Sequence, residues 1–381
     1  MGEKKPGIDE IARICSTCGA CLSECPVYQA VLTEPQSPRG KINLVKALGQ
    51  GRLKSTAFNK KLLYHCLLCG SCQNACTQGV EFVEMMIQYR NRLSGGQHIP
   101  LFKKLVLAFY RSLLFKKGLW VLDLLARTPL QKHLGIPRRQ KADLKKYRTV
   151  ATPGQKYDIL LFPGCVLTYF YPRLIEKIIL FLTRAGYSVA LPPDLECCGF
   201  PFLTQGWQEK FNALRQKNRQ VFSAFDFRYL VVPCSTGAMA FKQYYDWPGQ
   251  EIFELTEFIY RFCPGAAIHE KTGLAPGGPA EKFTYHDPCH DLKSLKIKKE
   301  PRHFLEQLGE SFVDDKQPLC CGFGGIFRIG FPATAQKILA RKAGHLKELG
   351  VGGLFTSCPG CYLHLRENLP LDVRFFIELF D

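Results

Sequence analysis

Two cysteine runs of identical spacing constrain this chain more than any other feature. Cys15, Cys18, Cys21 and Cys25 form C-x-x-C-x-x-C-x-x-x-C followed by Pro26, and Cys66, Cys69, Cys72 and Cys76 repeat that spacing 51 residues later. Three thiols at intervals of three residues close around one small centre, while the fourth leaves through a turn and, in two-cluster ferredoxins, reaches the other cluster. The spacing therefore predicts two [4Fe-4S] clusters, one on Cys15, Cys18, Cys21 and Cys76 and one on Cys66, Cys69, Cys72 and Cys25. Structural zinc sites use two C-x-x-C pairs per ion, which is a different arrangement. Thr77 replaces the proline that follows the first run, a departure expected to change the local turn and not the ligation. Between the runs, Ser37 and Pro38 read as N-cap and first helical residue, Ile42, Val45 and Leu48 share a face, and Gly49 and Gly51 end the helix. After the second run Val83, Met86 and Ile87 keep helical spacing, so this region is expected to be helical with its methionines in the core. His65 is expected to lie beside the ligand set or in solvent rather than in it.

Beyond residue 150 the cysteines fall into two sets: Cys165, Cys197, Cys198 and Cys234, then Cys289, Cys320, Cys321, Cys358 and Cys361. Corresponding members stand 124, 123, 123 and 124 residues apart, and CCGF occurs in both, which marks an internal duplication. Each unit alternates short apolar strands with helical patterns. The strands are expected at 158–162, 188–191 and 229–232 in the first unit, and at 283–285, 311–313 and 354–356 in the second. That alternation implies parallel α/β sheets, with the cysteine loops gathered beyond the carboxyl ends of the strands. Cys263 fits no spacing and reads as a small buried apolar residue.

Two C-x(30–31)-C-C-G-x(34–35)-C units behind a two-cluster module, with SPRG at 37–40 and YHDPCH at 285–290, resemble the CCG-type iron-sulfur oxidoreductases. The resemblance covers nearly the whole chain. It implies an α-helical two-cluster ferredoxin domain (1–95), a basic helical linker (96–155), and a duplicated α/β cysteine-rich half. The half divides into a first CCG unit (156–263), a connection (264–282) and a second CCG unit (283–381). The family includes the iron-sulfur subunits of glycolate oxidase and D-lactate dehydrogenase, a component of anaerobic glycerol-3-phosphate dehydrogenase, and components of heterodisulfide reductase. In the last of these a complete unit holds a noncubane [4Fe-4S] cluster on five cysteines. By that resemblance Cys289, Cys320, Cys321, Cys358 and Cys361 are a complete set. The first unit lacks the fifth thiol, because Gly237 stands in its place; Cys165, Cys197, Cys198 and Cys234 are then compatible with a cluster, a zinc ion or a metal-free relic. Losing one ligand favours an electron conduit over a pair of equivalent disulfide-reducing sites.

His286, His290 and His364 are expected around the second centre, where an imidazole can donate to a cluster sulfur or cap loop backbone. No dinucleotide fingerprint or P-loop is present, so two-electron chemistry is expected from an FAD-containing partner subunit. By resemblance that partner oxidises glycolate or D-lactate, and electrons continue towards a quinone or another carrier. The competing reading is a protein of heterodisulfide-reductase type that cleaves a disulfide at the second CCG centre. The formal charge of +18 is concentrated in 101–150, which carries thirteen Lys or Arg and two acids. Amphipathic helices there would suit either a peripheral membrane contact or a solvated bridge. Nucleic acid is not expected as a partner, since nothing matches a nucleic-acid module. Clustered thiols, no visible export signal and no uncharged spanning run point to the cytoplasm or its membrane face.

Overall fold

The computed structural model describes residues 6–93, 140–247, 249–268 and 282–380. Most of the basic segment, 101–139, lies outside the described residues. Among those described, no helix is long and apolar enough to cross a membrane.

The chain divides into two compact units that are not sequential. The first comprises the described parts of 1–105 with 199–212 and 319–345; the second comprises those of 106–198, 213–318 and 346–381.

The first unit is helical, as expected, with helices Ile8–Ile14, Pro26–Val31, Pro38–Gly49, Ala57–Tyr64 and Phe82–Arg92 among its elements. The buried side chains Ile8, Ile11, Ile42, Val45, Leu63, Met85, Met86 and Ile87 form its core. Both methionines lie in that core, as the helical spacing predicts. Helix Pro38–Gly49 starts as read from the sequence: the Ser37 Oγ accepts the Gly40 N–H at 2.9 Å and donates to Glu34 Oε1 at 3.2 Å. Gly40 is required there, because a Cβ would stand 2.0 Å from the Glu34 carbonyl oxygen. Ser37→Ala removes the cap from a fully buried position and is expected to cost about 1 kcal/mol in urea unfolding. A second apolar cluster, Val27, Phe327, Ala335 and Ile338, packs with Cys25, Leu67 and Cys320. The stretch after the second CCG tripeptide thus contributes directly to the core of this helical unit.

The second unit is α/β. One sheet has the order β2-β1-β3-β4, from β1 (Lys156–Leu161), β2 (Val189–Ala190), β3 (Asp226–Val232) and β4 (Glu251–Glu254). The other has the order β5-β6-β7, from β5 (Phe283–Tyr285), β6 (Gly353–Thr356) and β7 (Asp372–Phe375). Every pair is parallel, for example Ile159↔Tyr229 in the first sheet and Thr284↔Leu354 in the second. The duplication is visible in the topology: β5, β6 and β7 repeat β1, β3 and β4. The expected strand at 311–313 is corrected. A 3₁₀ helix, Glu306–Ser311, runs up to it with Gly309 at φ +58°, leaving one parallel bridge, Phe283↔Phe312, where β2 stands in the first repeat. Conversely β4 and β7 had no expectation, since EIFE and DVRF are four-residue edge strands in which charged residues break the apolar run. Cys263 is half-buried at the end of helix Leu255–Phe262, not a core residue.

Candidate metal centres

The two ferredoxin-type runs build two cavities in the helical unit. In each, the residue two after the first cysteine and the glycine four after it adopt the left-handed conformation: Thr17 and Gly19, Leu68 and Gly70. A bulky residue with positive φ is strained. Strain at matching places folds each loop back on itself, so that three thiols point inward. One open cavity, of about 440 Å³, is lined by Cys15, Cys18, Cys21 and Cys76, and also by Cys72, which it shares with the second cavity. The other, of about 370 Å³, is lined by Cys66, Cys69, Cys72 and Cys25. The fourth cysteine of each run therefore lies with the first three of the other. The donor chemistry fits [4Fe-4S]: each cavity is lined by at least four thiols, and in the second, N–H donors are already aimed at sulfur from Tyr28 to Cys25 and from Leu68 to Cys66, both at 3.4 Å.

The cavities differ in environment. Burial pushes the Cys25 thiol up to about 12 and raises Cys69 and Cys72 as well, whereas exposed Cys18 is held below its ordinary value, chiefly by the Ala20 backbone N–H. Lys41, 2% exposed, forms part of the wall around Cys25, Cys66, Cys69 and Cys72. Arg90, 1% exposed, donates to the carbonyls of Leu63, Tyr64, Cys66 and Thr204 at 2.8–3.3 Å. His65 is buried, against the expectation that allowed it solvent. Its Nε2 lies 2.8 Å from Thr334 Oγ1 and its ring stacks on Phe331, so burial holds it neutral, with a pKa down to about 4.

In the α/β unit the four cysteines of the first repeat follow β1, β2 and β3 in the chain and fall into two neighbouring pairs, Cys165 with Cys197 and Cys198 with Cys234. Cys165 and Cys197 are hydrogen-bonded thiols, and Cys234 neighbours both Cys198 and Cys358 of the second repeat. The loop before the CCG glycine is clamped by Asn218, whose Oδ1 accepts the Glu196 N–H while its Nδ2 donates to the Cys197 carbonyl and to the Tyr245 hydroxyl. The Tyr245 hydroxyl in turn donates to the Cys198 carbonyl at 3.2 Å. Gly237 sits one helical turn from Cys234. A Cβ there would meet Val232 Cγ1 at 3.0 Å and the Cys234 Sγ at 3.7 Å, so the position of the missing thiol is crowded as well as glycine.

Of the second set, Cys289, Cys358 and Cys361 lie in the α/β unit, and Cys320 and Cys321 belong to the helical unit. The Cys320 Sγ accepts the Gly322 N–H at 3.3 Å. His286, 1% exposed, places a ring nitrogen within 4.8 Å of the Cys361 Sγ, and neither of its nitrogens has a hydrogen-bond partner among the described residues. An imidazole left unsatisfied in a dry core is costly, so this one fits a bound group it can reach. His290 Nδ1 is 2.9 Å from Thr236 Oγ1, and buried His364 lies 3.4 Å from Asn368 Nδ2. Beside them Asp291 accepts from Ser235 and Ser357, each at 2.7 Å, and burial among other acids raises its pKa to about 8. The loop between β5 and Cys289 is held by Asp287 and Arg302, paired in bidentate fashion at 2.8 and 2.9 Å.

Lys41, Arg90, Asn218, Asp291 and the Asp287–Arg302 pair were not singled out from the sequence. Lys41 carried a signal, since it follows SPRG on the buried face of its helix, and Asp287 stands within YHDPCH with Asp291 just after it; Arg90, Asn218 and Arg302 are distant in sequence from what they support.

A cysteine-rich domain family (CCG) matches residues 159–242 and 283–366, and a 4Fe-4S dicluster domain family matches 11–80. Among curated relatives, the chain is 26% identical to the probable glycolate oxidase iron-sulfur subunit of Bacillus subtilis, covering 94% of this chain and 90% of that protein. It is 27% identical to a component of the fumarate reductase (CoM/CoB) of Methanothermobacter marburgensis, covering 94% and 68% respectively. It is also 26% identical to a component of the dihydromethanophenazine:CoB–CoM heterodisulfide reductase of Methanosarcina acetivorans, covering 98% and 96%. These three relatives thus divide between glycolate oxidase on one side and heterodisulfide or fumarate reductase on the other, all three parts of oxidoreductases. With a two-cluster module at its start and the parallel-sheet repeat behind it, this chain belongs to the CCG-domain iron-sulfur proteins that carry a 4Fe-4S dicluster domain.

Proposed function

We propose that the chain is the electron-transfer subunit of a flavin-dependent 2-hydroxyacid dehydrogenase, taking electrons from an FAD-containing partner that oxidises glycolate or D-lactate. The electrons leave towards a quinone or another carrier. The observation that carries this reading is the asymmetry of the repeat: Gly237 and its crowded surroundings leave the first CCG unit one thiol short. A conduit needs centres in series and tolerates that loss; paired five-cysteine sites do not. In this reading Cys15, Cys18, Cys21 and Cys76 hold one [4Fe-4S] cluster and Cys66, Cys69, Cys72 and Cys25 the other. Cys289, Cys320, Cys321, Cys358 and Cys361 hold a further iron-sulfur centre, and Cys165, Cys197, Cys198 and Cys234 are left to a cluster, a zinc ion or a metal-free relic. Such clusters, when bound, accept and release single electrons without a proton. The protein supplies the thiolates, the N–H donors to sulfur and the dry walls, with His286 donating to the centre beside Cys361.

Oxygen-free affinity purification from native cells tests this, with an optical spectrum taken before and after D-lactate or glycolate. A co-purifying flavin protein and bleaching of the broad iron-sulfur absorbance on substrate are expected. If flavin is absent and a disulfide reoxidises the chemically reduced protein, the chain is of heterodisulfide-reductase type and the conduit reading is wrong.

A further inference from the structure

The helical unit buries two cations, Lys41 in the wall of one cavity and Arg90 against the backbone of its Cys66, and neither has a carboxylate partner among the described residues. Lys41 donates from Nζ to the carbonyl and the side-chain oxygen of Gln36. Arg90 donates to four backbone carbonyls, one of them that of Cys66, and its Nε has no acceptor among the described residues. All these acceptors are neutral: they satisfy N–H groups without cancelling charge. Two unpaired buried cations are expensive in any fold. The anionic group that faces both is the thiolate Cys66 would present as a ligand, and those of Cys25 and Cys72 also face Lys41.

The other cavity is built differently. Its cation, Arg39, is 30% exposed and already paired with Glu34 through Nε at 2.7 Å and Nη2 at 3.2 Å. Arg39 and Glu34 together present no net charge to Cys15, Cys18, Cys21 and Cys76, and water screens what remains.

We propose that Lys41 and Arg90 are the counter-charges of the cluster on Cys25, Cys66, Cys69 and Cys72, and that they set its reduction potential above that of the cluster on Cys15, Cys18, Cys21 and Cys76. The inference rests on the electron-transfer reading and adds a direction to it. Reducing a cluster adds one negative charge. Burial alone opposes that step, and a fixed positive charge in the same dry wall favours it. Each unpaired cation shifts the reduced-to-oxidised ratio by on the order of tenfold, about 59 mV for a one-electron couple, and two of them outweigh the burial. In the exchange between the clusters one electron leaves the Cys15 set, which is oxidised, and enters the Cys25 set, which is reduced. No proton moves, and the electron comes originally from the reduced flavin of a partner, or from dithionite in vitro.

The test is an EPR-monitored redox titration of the full chain, purified without oxygen, with dithionite as reductant. Cys25→Ser identifies the signal of the Cys25 set by deleting it. In the unaltered protein that signal should have the higher midpoint. Lys41→Met should lower it by about tenfold in the reduced-to-oxidised ratio at fixed poise, while Arg39→Met moves the other signal less. Lys41→Gln, which is neutral and still able to bond Gln36, repeats the measurement if the Met variant fails to assemble. Full iron and sulfide content with an unmoved midpoint in the Lys41 variant overturns the inference and leaves the electron-transfer reading standing. The same holds if the Cys25 signal is the lower of the two from the start. Absence of iron and acid-labile sulfide from the unaltered protein overturns that reading and the inference together.

Discussion

Cys25→Ser is expected to abolish the cluster of the second cysteine run and to spare the cluster of the run in which Cys25 itself lies. Cys25 lines the cavity of Cys66, Cys69 and Cys72, and Cys76 lines that of Cys15, Cys18 and Cys21. The side chain also accepts the Tyr28 N–H as cap of helix Pro26–Val31, a bond that serine preserves, so folding should be little affected. Serine is a far poorer iron ligand than a thiolate, and loss of one ligand in four should reduce bound iron by about four atoms per chain. Cys76→Ser should do the reverse. The two single variants are then distinguishable by their residual EPR signals, and their double variant should lack both. If Cys25→Ser instead abolishes the cluster of Cys15, Cys18 and Cys21, the crossed ligation is wrong.

Arg302→Met should lower the stability of the α/β unit by about 3–5 kcal/mol, since it strands the Asp287 carboxylate, 1% exposed, without its cation. Arg302 also bonds Asp314 through Nε at 2.7 Å and the Lys298 carbonyl at 2.8 Å, so one side chain ties the loop after β5 to helix Lys299–Leu305 and its surroundings. Much of the loss is the desolvation of an unpaired charge. Arg302→Met with Asp287→Asn should therefore recover more than half of it. Urea unfolding by circular dichroism of the three proteins, handled without oxygen, measures both effects. If the double variant is no better than the single one, packing of the Arg302 stem and not the ion pair holds the loop. The expected injury reaches function because Asp287 lies between His286 and Cys289.

Much of this protein is legible in sequence because its chemistry repeats. The eight ferredoxin-type cysteines, the 123–124 residue period and the cap at Ser37 each rest on local spacing, and local spacing survives folding. Strands β1, β3, β5 and β6 were legible for a related reason: each is an apolar run that ends at a cysteine loop. The expectation at 311–313 failed because a short apolar run says nothing of whether a neighbouring strand has room to pair along it. Gly309 and the 3₁₀ helix leave space for one bridge. Strands β4 and β7 were missed because pairing with β3 and β6, not their own composition, makes them strands.

By itself the sequence determined the cysteines and their grouping by spacing, the duplication, and the glycine that leaves the first repeat one thiol short. Those are properties of residue identity and short-range geometry. Tertiary structure alone decided which charges are buried and what they face: Lys41 and Arg90 among neutral carbonyls, Arg39 paired in solvent, Asp287 held by Arg302. It also decided which compact unit the chain after each CCG tripeptide joins. The physical reason is that burial and electrostatic pairing depend on residues far apart in the chain, and on the dielectric that packing creates around them.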